Sequence, residues 1–148
     1  MNMRTLKSPV TAAFVLLTLV ILAPGTQAKA QGPAYLHAIS DLRSAREYLQ
    51  RDASPEREHA RHHAIDEITA AIQDIKVAAA DDGKNPWRTP PPQSGGDPDA
   101  PIHTAIRLLK EARSDVDHGR DMPQNNGLRE RSVDHIDKAL RELQPWFF

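Results

Sequence analysis

The sequence predicts an all-α protein, a four-helix bundle built from two duplicated αα-hairpins joined by a proline-rich linker. Three observations lead to this fold class. Four segments carry apolar residues at helical spacing, alternating strand-like runs are absent, and the second pair of segments repeats the first. Each hairpin has an apolar stripe to bury, and packing the two hairpins together buries both stripes. We predict one domain over 31–148, with helices at about 35–51, 55–82, 101–118 and 126–146 and the linker at 83–100.

Each predicted helix carries a single apolar stripe, because its apolar residues recur every three or four positions. The first stripe is Tyr35, Ala38, Ile39, Leu42, Ala45 and Leu49. The second is Ile65, Ile68, Ile72, Ile75 and Ala79. The third is Ile102, Ala105, Ile106, Leu109, Ala112 and Val116. The fourth is Val133, Ile136, Ala139, Leu140, Leu143 and Phe147.

The second helix has the clearest boundary signals. Ser54 is a residue type that caps helices, Pro55 suits the first helical position, and Glu56 is an acid in the first turn. Gly83 follows the last turn, where glycine commonly ends a helix. These signals predict a helix that begins at about residue 55 and ends near residue 82.

The two hairpins match each other at a nearly constant offset. A shift of 67 residues places Ala45 and Arg46 on Ala112 and Arg113, and a shift of 68 places Arg61 on Arg129. Shared helical periodicity explains matches between apolar positions. Because alanines and arginines match as well, we interpret the pattern as an internal duplication.

The linker is a proline-rich segment. The segment from Asp81 to Pro101 contains six prolines, so the linker is expected to be extended rather than helical. Its length lets it cross one end of the bundle or follow its side, and both connectivities stay open.

The N-terminus has the three parts of a secretory signal peptide. Arg4 and Lys7 precede an apolar run from Val10 to Ala23, and the small residues Ala28 and Ala30 follow. The run is too short for a bilayer span, which needs about 20 apolar residues. We predict cleavage after Ala30, with Ala28 as the alternative, no transmembrane span after processing, and a periplasmic or secreted protein.

Composition excludes several functional classes. The full chain has 148 residues with 19 basic and 20 acidic side chains; without residues 1–30, its 118 residues carry 16 basic and 20 acidic groups, a net charge of −4. This charge does not favour binding to nucleic acid. The sequence has no cysteine, which excludes disulfides, thiolate metal sites and cysteine nucleophiles.

Three runs of sequence give the chain a family resemblance. LHAISDLRSAR lies in the first helix, AADDGK closes the second, and GLRERSVDHIDKA lies in the fourth. The chain resembles a group of small exported bacterial helical-bundle proteins of uncharacterised function. The resemblance covers nearly all of residues 31–148; it implies a helical bundle and no particular chemistry.

Histidines provide one candidate site. His59, His63 and Glu67 are spaced four residues apart, so they share a helix face that could bind copper, nickel or zinc. The helical wheel directs this face away from the apolar stripe, and the alternative is a solvated polar face. The sequence predicts no other cofactor.

A second candidate site assumes an up-down-up-down bundle, in which the starts of helices 1 and 3 meet the ends of helices 2 and 4. Aromatic, histidine and acidic side chains then gather at one end of the bundle, either as a ligand site or as a sealed end. The candidate ligand-binding residues are His37, His103, Asp81, Asp82, Trp87 and Trp146.

The same topology places four arginines at the opposite end. Arg46, Arg61, Arg113 and Arg129 would then surround the bundle axis and could bind a carboxylate or phosphate. Internal salt bridges to neighbouring acids are the alternative.

The sequence contains no catalytic motif, and we therefore predict no enzymatic activity. The favoured hypothesis is an exported, non-catalytic bundle that binds an unknown periplasmic or extracellular protein or a small ligand. The alternative is a histidine-based transition-metal-binding protein of the periplasm.

Overall fold

A computed structural model describes residues 34–92, 95–118 and 126–146. Four α-helices occupy these ranges: α1 (Ala34–Arg51), α2 (Glu58–Asp81), α3 (Pro101–His118) and α4 (Asn126–Leu143). Short 3₁₀ turns precede α2 and follow α4, and the described residues contain no β-strand. The predicted signal peptide, Phe147 and Phe148 lie outside the described residues.

The helices pack most extensively between hairpins rather than within them. α1 packs along α3 and α2 packs along α4, whereas the contacts of α1 with α2 and of α3 with α4 are less extensive. The predicted all-α four-helix bundle is confirmed.

All neighbouring helices in the bundle are antiparallel. The pairs Asp74–Arg131 and Glu67–His135 join α2 to α4. From the first pair to the second, the residue number falls along α2 and rises along α4, so the two helices run in opposite directions. Gly96, which precedes α3, lies against Tyr48 near the end of α1, so α3 starts where α1 ends.

The topology is therefore up-down-down-up. α1 starts, α2 ends, α3 ends and α4 starts at one end of the bundle, which we call the Tyr35 end. The other helix termini lie at the opposite end, which we call the Trp146 end. The up-down-up-down arrangement assumed from the sequence is wrong.

The path of the linker explains this topology. The Arg43 guanidinium, in the middle of α1, donates to the carbonyl oxygen of Pro86 at 3.5 Å and to Oγ1 of Thr89 at 3.4 Å. A Cβ atom at Gly96 would overlap the ring of Tyr48, so this close approach requires glycine. The linker thus follows α1 along its length and returns the chain to the Trp146 end before α3 begins.

The predicted stripes form the core. Every predicted stripe residue of α1 and α3 is buried. In α2 and α4, Ile65, Val133 and Leu140 are only partly buried and pack at the edge of the core, which otherwise contains the remaining described stripe residues. A full helical turn buries only one face, so residues at the margins of a stripe stay partly exposed.

The ends of α2 differ in how well they were predicted. Gly83 has a φ of 69° directly after the helix, which confirms it as the terminating residue. At the start, Pro55–Arg57 forms a 3₁₀ turn, and Ser54 makes no side-chain capping bond. Its hydroxyl instead donates to the Glu56 carboxylate at 2.5 Å.

Candidate functional site

The predicted aromatic end of the bundle is not assembled. Tyr35 donates its hydroxyl proton to Asp82 at 2.6 Å at the Tyr35 end. Trp146 lies at the opposite end, where the Arg57 guanidinium is 5.8 Å from its ring centroid. The grouping was wrong because it depended on α3 running parallel to α1.

The remaining members of that candidate set are dispersed. His37 is half-buried in the first turn of α1, and Asp81 is exposed in the last turn of α2. His103, in the first turn of α3, lies at the Trp146 end and is exposed. Trp87 is in the linker beside the bundle, at neither end. The structure therefore brings Asp81 and Asp82 near His37 but separates them from the other three residues.

The four arginines also divide between the two ends. Arg46 and Arg61 lie towards the Trp146 end, and Arg113 and Arg129 lie towards the Tyr35 end. The predicted cluster of four is therefore wrong, again because of the direction of α3.

The second pair of arginines forms internal salt bridges. Arg113 donates from Nε and Nη2 to the Asp137 carboxylate at 2.5 and 3.1 Å. Arg129 contacts Asp117 Oδ1 at 3.3 Å and also donates to the backbone carbonyl of Asp117. The hydrogen bond to Asp137 raises the pKa of the Arg113 guanidinium. The alternative of internal pairing is confirmed for these two arginines.

Arg46 and Arg61 lack equivalent salt bridges within the described ranges. Under the shifts of 67 and 68 residues, Gln50 stands where α3 has Asp117, and Thr69 stands where α4 has Asp137. Both acids that pair with the arginines of the second hairpin are thus replaced by neutral residues in the first. Arg46, which is partly buried on α1, makes no salt bridge with any residue that the structure describes.

Of the three residues of the predicted metal site, His59 and His63 lie next to each other, whereas Glu67 contacts another residue. The imidazole rings of His59 and His63 are exposed, with their centroids 4.4 Å apart. Glu67 instead contacts Nδ1 of His135 on α4 at 2.5 Å. In the parts of the chain that the structure describes, no group of three or more histidine or acidic side chains is arranged to hold a metal ion.

The most unusual exposed surface surrounds Trp87. Its side chain is 71% exposed, the Lys76 ammonium is 4.1 Å from its ring centroid, and the Arg43 guanidinium is 5.8 Å away. These distances are those of cation–π contacts from two different helices. We call Arg43, Arg46, Lys76 and Trp87 the Trp87 surface.

Like charges crowd the Trp87 surface. Burial lowers the pKa of the Lys76 ammonium, and the positive charges of Arg43 and Arg46 lower it further. Lys76, Arg43 and Arg46 make no salt bridge among the described residues. Three basic groups are thus held close together in a chain that has no basic excess overall.

Sequence reasoning identified Trp87 but missed Arg43 and Lys76. Residues 43 and 76 lie 33 positions apart and meet only when the hairpin forms and the linker passes over it. The sequence did contain a signal for this contact. In an antiparallel hairpin, the residue numbers of two positions that face each other add up to a nearly constant value, and Tyr35–Asp82 and Arg43–Lys76 both follow this rule.

Comparison of this chain with protein-family profiles, curated proteins and solved structures finds no match. None of the described helices is long and apolar enough to cross a membrane. The site must therefore be interpreted from its own geometry.

Proposed function

We propose that this protein is an exported, non-catalytic binding module that captures a partner through the Trp87 surface. The observation that carries the proposal is the exposed Trp87 ring, held against two cations from different helices. Export is supported by the charged start, the apolar run and the small residues of 1–30.

Residue type and position support a binding role. Tryptophan and arginine are the residues that most often dominate binding energy at protein interfaces, and a half-exposed aliphatic side chain, Val77, follows Lys76. The linker holds Trp87 in place, since the Trp87 backbone N–H donates to Oδ1 of Asn85 at 2.9 Å. A pre-positioned aromatic side chain loses little conformational entropy on binding.

Site-specific cross-linking tests this proposal. A photo-reactive amino acid replaces Val77, which leaves the cations and Trp87 intact, and a second variant carries it at Ser114, exposed on α3. The protein is irradiated in the cells that produce it and the adduct is identified by mass spectrometry. We expect one defined adduct at position 77, lost on Trp87→Ala, and none at position 114. Equal labelling at both positions, or turnover of a substrate abolished by changing a single residue, would contradict the proposal.

A second candidate function is transition-metal binding by His59 and His63. The observation that favours it is the 4.4 Å separation of the two exposed rings, since imidazoles one helical turn apart can share a copper, nickel or zinc ion. Because Glu67 is engaged by His135, we propose two protein ligands, with water completing the coordination.

Calorimetry with each of the three metal salts tests this candidate. We expect binding that is lost in His59→Ala and His63→Ala and retained in His62→Ala, which removes a neighbouring exposed histidine. Binding no tighter than about millimolar, or loss in all three variants alike, would reject the site.

A further inference from the structure

The residues of the Trp87 surface are distributed over three elements, and its three basic groups belong to two helices. Arg43 and Arg46 belong to α1, Lys76 to α2, and Trp87 to the linker. A small anion is held by donors that converge on one point. A distributed set of cations around an aromatic ring instead suits an extended ligand with several charges.

The linker adds further positive charge beside Trp87. Lys84 and Arg88 are both exposed and lie within three residues of Trp87. Two of the acids in this region have other contacts: Asp82 accepts the Tyr35 hydroxyl proton at 2.6 Å, and Glu47 is 3.9 Å from Arg51. The local field therefore favours a negatively charged ligand.

We propose that the partner presents a short acidic peptide segment that lies across the Trp87 surface. Its carboxylates pair with Arg43, Arg46 and Lys76, and one of its apolar side chains packs on the ring of Trp87. This inference rests on the proposed function and specifies its partner.

The charge of the whole molecule favours a short acidic segment over a long polyanion. The chain has more acidic than basic side chains, so a nucleic acid or other long polyanion reaching beyond the Trp87 surface meets negative charge. A short segment confines its carboxylates to the positive surface. The field also accelerates encounter with such a segment at low salt.

Comparison of the two hairpins supports the assignment. Arg113, the counterpart of Arg46, is occupied by Asp137 at 2.5 Å. In the first hairpin Thr69 stands at the corresponding position, so a carboxylate that pairs with Arg46 there would come from another molecule. The partner's acidic segment thus takes the place that Asp137 has in the second hairpin.

Titration with a synthetic Asp/Glu-rich peptide, its Asn/Gln counterpart and inorganic polyphosphate tests the inference. The protein is isolated from the producing cells as a Trp146→Phe variant, so that Trp87 is the remaining tryptophan and its fluorescence reports binding. We expect the acidic peptide alone to bind, with weaker affinity at higher salt. Arg46→Gln and Lys76→Gln should each reduce affinity about tenfold, and the matched control Arg113→Gln should leave it unchanged.

The outcomes separate this inference from the proposed function. If the acidic peptide fails to bind while the adduct at position 77 persists, the partner chemistry is wrong and the proposed function stands. If polyphosphate binds with the same sensitivity to Arg46→Gln, the ligand is a phosphate polymer and the inference is overturned. Concentration-dependent self-association that Trp87→Ala abolishes would overturn it in favour of a second copy of the chain.

Discussion

The two hairpins of this bundle share a core but differ on their outer faces. Leu42 and Leu109, related by the shift of 67 residues, are both completely buried. Outside, α3 and α4 are joined by Arg113–Asp137 and Arg129–Asp117, whereas Arg46 and Arg61 make no such salt bridge among the residues that the structure describes. The two hairpins therefore share the burial of their core leucines and differ in how their surface charges are paired.

The two hairpins also differ in whether their arginines are paired within the chain. The salt bridges of the second hairpin satisfy its arginines within the chain. In the first hairpin, Arg43 and Lys76 instead lie beside an exposed tryptophan, and burial together with the positive charges of Arg43 and Arg46 lowers the pKa of the Lys76 ammonium. The four experiments that follow test this contrast, beginning with the core that both hairpins share.

The largest effect should come from emptying equivalent core positions. Leu42→Ala and Leu109→Ala should each lower the free energy of unfolding by about 2–5 kcal/mol, because each leaves a cavity among buried side chains. Chemical denaturation of both variants measures this. Costs that differ greatly would show that the hairpins are not equivalent in the core and would weaken the comparison.

The loop between α1 and α2 contains an ion pair that also contacts the second hairpin. Arg57 donates from Nε and Nη2 to the Asp52 carboxylate at 2.9 and 2.7 Å, and its guanidinium lies over Trp146. Asp52→Asn should lower the free energy of unfolding by about 1–3 kcal/mol, because Asp52 is buried and loses its charge-assisted bonds.

The same pair predicts a pH dependence. The hydrogen bond from Arg57 lowers the pKa of the Asp52 carboxyl below its ordinary value of 3.8. The stabilisation is therefore complete above pH 3.8 and is lost as the pH falls through the lowered pKa of the folded state. Denaturation measured across this acidic range should show that the free energy of unfolding falls less steeply with decreasing pH in Asp52→Asn than in the unmodified chain. An exposed control, Glu56→Gln, should leave the contribution of Asp52 in place.

Replacing the two matched arginines, Arg113 and Arg46, should change the stability of the protein by different amounts. Arg113→Gln should cost about 0.5–1 kcal/mol because it breaks a two-point salt bridge at a partly exposed site. Arg46→Gln should change stability by less than about 0.5 kcal/mol, since it relieves repulsion with Lys76 and breaks no pair. Thermal denaturation at low salt measures both. Equal costs would mean that Arg46 has a structural partner.

The smallest effect should come from giving the first hairpin an acid of the second. Gln50→Asp reproduces at Arg46 the spacing of Arg113 and Asp117, whose side chains approach to 3.9 Å. We expect a change of less than about 0.5 kcal/mol, because the new ion pair is opposed by the helix dipole, which disfavours an acid in the last turn of α1. The more informative readout is the acidic peptide, whose affinity should fall because Arg46 is now partly neutralised. Unchanged affinity would exclude Arg46 from the binding surface.

Helix positions were predictable from the sequence because local signals determine them. The apolar spacing of α1 and the glycine after α2 act within a few residues, and the observed helices lie close to the predicted ranges. The direction of α3 was not predictable in this way. It depends on where the linker docks, and the contacts of Arg43 with Pro86 and of Gly96 with Tyr48 exist only in the folded chain.

The candidate site was predictable only in part, for a related reason. Trp87 is conspicuous in a proline-rich segment, but its importance comes from Arg43 and Lys76, which belong to different helices. The four arginines were identified from matching positions in the two hairpins, but their predicted positions in space followed from an assumed topology. Charge patterns along one helix can be read locally, whereas clusters between helices require the connectivity.

The preference for contacts between hairpins has a consequence for how the chain folds. The most extensive packing joins helices separated by about 67 residues in sequence, and the contacts within each hairpin are weaker. Closing such long loops costs entropy before packing offsets it, so neither hairpin is a strong nucleus on its own. Among helical proteins of its size, this chain should therefore fold slowly.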